Sequence, residues 1–128
     1  MKKHTITIIL FGLVNLLIFS DKSNAAGDGT KGKAIFDQKC VLCHTIGEGK
    51  RIGPDLAGVV DRRKAEWLKE FISNPEKMIN VKKDPVAVKL FNDYGKIPMV
   101  VSPPLTPEEI EHILKYLQDA TKGKIPKA

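Results

Sequence analysis

The chain is predicted to be all-α, with about four helices, and three observations carry that prediction. Apolar residues recur at three- and four-residue spacings in four separate stretches. Residues suited to helix N-caps precede these stretches, at Asp28 or Thr30, Asp84 and Thr106, and the last two are followed directly by proline. No run alternates apolar and polar residues convincingly enough for a strand, and no internal repeat or low-complexity tract is present.

The first helix is expected over Asp28–Lys39, where Gly32, Phe36 and Cys40 share one face. Glycine and proline make residues 45–60 a loop. A second helix is expected over Arg62–Ser73, with Trp67, Leu68, Phe71 and Ile72 as its apolar stripe and Pro75 stopping it at Asn74. The third begins at Asp84-Pro85, runs through Leu90, Phe91 and Tyr94 and ends at Gly95. Residues 96–104 form a loop with three prolines. In the fourth, Thr106, Pro107 and Glu109 spell a capping box, and Ile110, Ile113, Leu114 and Leu117 form the buried stripe.

The first 25 residues are set apart from this domain. Lys2, Lys3 and His4 form a basic head, an apolar run extends from Ile6 to Phe19, and small residues follow at Ser23 and Ala25. That is the three-part pattern of a secretory signal. Cleavage after Ala25 places Ser23 and Ala25 at the two small-residue positions, and cleavage after Ala26 is nearly as acceptable. A retained anchor is the alternative, but the run falls short of the ~20 apolar residues that span a bilayer. The expected division is residues 1–25 as signal and 26–128 as a single soluble domain. Removing the signal takes the net charge from +6 to +4, because Lys2, Lys3, Lys22 and Asp21 leave with it. The remaining cations are scattered and not interleaved with aromatics, which argues against nucleic acid and is compatible with an acidic docking partner.

Both cysteines lie in Cys40-Val41-Leu42-Cys43-His44. Two thiols three residues apart on a helical turn can add across the two vinyl groups of a haem, and the adjacent histidine then reaches the iron. This is the c-type haem attachment spacing. A thioredoxin-like pair would need a βαβ context, which is missing. A structural zinc site would need four ligands, and His112 lies too far along the chain to make a paired spacing with His44. A local disulfide leaves His44 without a role.

With these residues in view, the chain resembles the class I (mitochondrial-type) monohaem c-type cytochromes over essentially all of residues 26–128. Gly32 and Phe36 resemble the N-terminal helix residues that cross the C-terminal helix. Gly53-Pro54-Asp55-Leu56 resembles the loop after the haem-binding histidine. Ile113, Tyr116 and Leu117 resemble the matching face of the last helix. The resemblance implies a cytochrome c fold wrapped around one covalently bound haem c, with His44 as one axial iron ligand. It also implies Met99, beside Pro98 in the loop before the last helix, as the other. Met78, read as a core filler, His112, read among the surface charges Glu111 and Lys115, and an open site are the alternatives.

Softer expectations surround the metal. The resemblance places the Pro54 carbonyl as acceptor for the His44 ring N–H. Trp67 and Tyr94 are expected either to bond haem propionates or to be core aromatics. Arg51 either pairs with a propionate or is solvated, and Arg62, Arg63 and Lys64 read as an exposed helix start. Lys39, Lys50, Arg51 and Lys96 are candidates for the rim of an exposed haem edge.

A histidine–methionine iron has no vacant position, which points to one-electron carriage between redox protein partners and not to an enzyme, and the secretory signal places that carriage outside the cytoplasm, in a periplasm or equivalent compartment. The alternatives are a haem subunit of a larger oxidoreductase and a haem protein with a displaceable sixth ligand, either ligand-binding or peroxidase-like. A monomer or a subunit of a complex is expected.

Overall fold

The structure, a computed structural model, describes residues 27–128. The secretory signal read at residues 1–25, with its cleavage point, lies outside the described residues. Among those described, every regular element is a helix: α1 (Gly29–Lys39), α2 (Val59–Arg62), α3 (Ala65–Ser73), α4 (Pro85–Asp93) and α5 (Pro107–Thr121), with a π-helical turn at Lys77–Val81 between α3 and α4.

The helix starts follow the chemistry of the N-terminal amides, which have no partners inside the helix. The Asp28 carboxylate accepts from the Thr30 and Lys31 N–H groups at 2.8 and 3.2 Å. Asp84 does the same for Val86 and Ala87 at 3.0 and 2.9 Å. At α5 the box is reciprocal: Glu109 N–H donates to the Thr106 hydroxyl and Thr106 N–H to the Glu109 carboxylate.

α1 crosses α5, and this crossing carries the core. A Cβ on Gly32 would lie 1.9 Å from the His112 carbonyl oxygen, so only glycine allows the two backbones to approach this closely. Phe36 and Tyr116 meet there with ring centroids 5.4 Å apart, and both side chains are fully buried. Ile110, Ile113, Leu114 and Leu117 extend the same face, and Leu68 brings α3 onto it. Each such side chain contributes about 1.5–3 kcal/mol by leaving water.

Three features differ from the sequence expectations. The helix expected over Arg62–Ser73 starts later, at Ala65, and a separate single turn, α2, falls mostly in the stretch expected to be loop. Gly58, at φ 67°, starts the single turn α2; extended backbone at Arg63 and Lys64 then resets the direction, and α3 lays Leu68 against the core. Met78 is buried as expected of a core filler, but within a π-helical turn that no periodicity announced. His112, read as a surface residue, is buried, because the chain entering α1 covers it: the Asp28 N–H donates to His112 Nδ1 at 2.8 Å.

Candidate haem site

α1 ends one residue before the first cysteine, and the chain continues as a tight turn. Cys43 N–H and His44 N–H both donate to the Cys40 carbonyl, at 3.0 and 2.9 Å. The turn sets Cys40, Cys43 and His44 on the wall of one cavity of about 380 Å³. The two cysteines are not joined to each other by a disulfide. Burial, with the neighbouring Cys43 adding to it, pushes the Cys40 thiol up to about 11, so it is held protonated.

His44 is fixed by the loop that follows it. Its Nδ1 lies 2.9 Å from the Pro54 carbonyl oxygen. A carbonyl only accepts, so Nδ1 carries the proton and Nε2 keeps its lone pair. Burial lowers the pKa of His44, and the bond to Pro54 works against that shift. Gly53 closes over the ring: a Cβ there would sit 2.6 Å from His44 Cε1 and 2.9 Å from Nδ1. The Gly53 N–H donates to the Cys43 carbonyl at 2.7 Å and the Leu56 N–H to the Thr45 carbonyl at 2.8 Å, so the bonded pair His44–Pro54 is flanked on both sides.

The remaining wall comes from all four long helices and the α4–α5 loop. Phe36, Leu68, Phe71, Ile113 and Leu117 make it largely apolar. Trp67 also lines it, stacked on Phe71 at 5.0 Å, and its buried indole N–H has no hydrogen-bond partner. The Asp84 carboxylate is near enough for that N–H to help lower its pKa, after the Ala87 amide, but the pair does not reach hydrogen-bond geometry. Tyr94 and Met99, both half-buried, face the same cavity, and the Lys50 ammonium sits 4.5 Å from the Tyr94 ring centroid.

Sequence and structure can be matched residue by residue. Cys40, Cys43, His44, Pro54, Trp67, Tyr94 and Met99 line one cavity, whereas neither Met78 nor His112 does. Arg51 is not among the lining residues; its guanidinium donates to the Val41 carbonyl at 2.5 Å. Arg62 and Arg63 are exposed, as the sequence predicts, and they also line the cavity beside Trp67. The signal was available: Arg63 and Trp67 are four residues apart, and the guanidinium lies 5.9 Å from the indole ring.

These residues fit a haem. Two cysteine side chains, an imidazole with a free lone pair and a thioether share one apolar cavity, and an unpaired buried N–H beside two arginines suits a carboxylate-bearing edge. The comparisons agree. The family model for cytochrome c matches residues 29–121. A cytochrome c from Stellaria longipes is 33% identical over 103 residues, covering 75% of this chain and 95% of the relative. A cytochrome c from Arabidopsis thaliana is 31% identical, covering 75% and 92%. Among solved structures, a cytochrome c from Rhodothermus marinus superposes with a TM-score of 0.65 at 29% identity, covering 74% of this chain and 78% of that one. The cytochrome c domain of a Pseudomonas putida protein gives 0.61 at 34%, covering 71% and 88%. The chain belongs to the cytochrome c family, as a class I monohaem c-type cytochrome with one covalently bound haem c and a part in haem-based electron transfer.

Proposed function

We propose that this cytochrome is a single-haem electron carrier that shuttles between protein partners outside the cytoplasm and turns over no substrate of its own. The carrying observation is that His44, with its lone pair free, and Met99 line the cavity that also holds both cysteine thiols. Cys40 and Cys43 would hold the haem as thioethers, and His44 and Met99 would supply its two iron ligands. When bound, the haem supplies one-electron exchange between ferric and ferrous iron. The Met99 thioether is a soft donor that favours the ferrous state and raises the potential. The apolar lining acts in the same direction by excluding water. The Trp67 indole N–H and the Arg62 and Arg63 guanidinium groups supply donors for the propionates.

Partner docking is assigned to the mouth of the cavity. Ile97 and Val100, which line the cavity, are 55% and 74% exposed, and Leu42, next to Cys43, is 77% exposed. Lys39, Lys50, Arg51 and Lys96 add positive charge in the same chain segments. An apolar patch with a basic rim suits a partner with an acidic rim, and charge there acts mainly on the rate of encounter. Export rests on the basic head, the apolar run Ile6–Phe19 and the small residues before Ala26.

A second reading, a haem with a displaceable sixth ligand, draws on the loop that carries Met99: among the described residues, no backbone N–H from Met99 to Leu105 donates a hydrogen bond. A redox titration of the holoprotein under carbon monoxide separates the two. The carrier reading predicts a reversible one-electron wave unchanged by the gas. A potential that climbs with gas pressure would mean that the ferrous form binds it and would favour the second reading.

A further inference from the structure

Asp55 lines the cavity, and its carboxylate accepts three hydrogen bonds from backbone amides of its own loop. Oδ1 accepts from Gly47 N–H and Ala57 N–H, both at 2.8 Å, and Oδ2 accepts from Gly49 N–H at 2.6 Å. Across the same loop, the Thr45 hydroxyl donates to the Gly49 carbonyl. One side chain therefore gathers both arms of the loop, residues 47–49 and 55–57. Asp55 also shares a peptide unit with Pro54, so tilting that unit swings the carbonyl that receives the His44 ring proton at 2.9 Å.

We infer that Asp55 is a positioning residue for the haem: by pinning the loop through three amides, it holds the Pro54 carbonyl on His44 and so sets how strongly that imidazole donates to iron. The inference rests on His44 being an axial ligand. The physical link is the hydrogen bond on the far ring nitrogen. An acceptor at Nδ1–H increases ring basicity, and a more basic ring favours ferric iron. Loosening the carbonyl weakens that acceptor, so the ferrous state gains and the potential rises. Gly47 and Gly49, at φ 85° and 87°, adopt a backbone conformation that side chains rarely take, and their amides are the ones the carboxylate captures. The arrangement is a small anion-holding nest with its own carboxylate seated in it.

Asp55→Asn and Asp55→Ala test the inference in the holoprotein, with Asp28→Ala as a control that removes the cap of α1, whose first turn does not line the cavity. The side-chain oxygen of the asparagine variant can still accept from Gly47 and Ala57, but its NH₂ faces the Gly49 N–H. Three readouts are taken: the midpoint potential, the solvent exchange of the His44 ring N–H by NMR, and the melting temperature. The expected result is a higher potential and ring-proton exchange faster by more than about tenfold. The asparagine variant should lie between wild type and the alanine variant, while the control lowers only the melting temperature. If the alanine variant fails to fold, the asparagine variant decides. Asp55 variants whose His44 ring-proton exchange stays at the wild-type value would overturn the inference whatever the potential, because loss of the carboxylate charge beside the cavity raises the potential on its own. A wild-type protein in which His44 lacks a haem-shifted ring N–H would instead remove His44 as ligand, a failure distinguishable from the first.

Discussion

His44 and Met99 line the same cavity, yet the segments that carry them are held by different means. On the His44 side, the ring proton, the amides flanking the pair, the Asp55 carboxylate and the bare backbone of Gly53 all specify one position for the imidazole. On the Met99 side, Pro98, Pro103 and Pro104 stiffen the loop, and the Lys39 ammonium reaches the Ser102 and Pro103 carbonyls at 3.4 Å. The loop has no ladder of its own. On the proposed reading one ligand is placed by the protein, and the other is delivered by a stiff loop and depends more on the bond it would make to iron.

That contrast orders the expected effects. Replacing both Cys40 and Cys43 with alanine is the most severe change. The purified chain should show the mass of the bare polypeptide, with no pigment surviving acid–acetone extraction, because neither side of the cavity provides another covalent tether. Met99→Ala comes next. It should retain the covalent haem and the helical signal, admit carbon monoxide, and lower the potential by on the order of 0.1 V within the ~0.8 V that axial ligands control. A protein that lost its fold as well would contradict the view that the Met99 loop adds little to the scaffold.

A pair of glycines sharpens the comparison in stability. Gly53→Ala puts a methyl group 2.6 Å from the His44 ring and should cost about 1–3 kcal/mol in denaturation of the holoprotein. Gly95→Ala, before the Met99 loop, meets nothing within 4 Å and is penalised only for its φ of 71°, about 1–2 kcal/mol. The ligand spectrum should change only in the first. The smallest effect is expected in acid. Three backbone amides lower the Asp55 carboxyl from 3.8 to about 2 despite the opposing cost of burial. Its contribution to stability is therefore complete above pH 3.8 and lost as pH falls towards 2. Asp55→Asn should flatten that part of the stability–pH curve, measured by chemical denaturation at each pH.

Much of this was legible in the sequence because the deciding interactions are local. Asp28, Asp84 and Thr106 cap the helices they appear to cap, and Pro85 and Pro107 occupy first-turn positions. Cys40 to His44 reports its chemistry through spacing alone. Long-range contacts were harder to read. His112 has charged neighbours on its helix, but its burial depends on Asp28, 84 residues away. The split between α2 and α3 turns on extended backbone at Arg63 and Lys64, which no apolar period records, and it brings Arg62 and Arg63 to the cavity. The π-helical turn at Lys77–Val81 is too short to leave a period.

The pairing of a firmly built histidine with a loop-delivered methionine is tested most directly by the near-infrared spectrum of the oxidised holoprotein. A weak charge-transfer band that is present in the wild type and absent in Met99→Ala is the predicted result. A wild-type spectrum without that band, or one that Met99→Ala leaves unchanged, would contradict it.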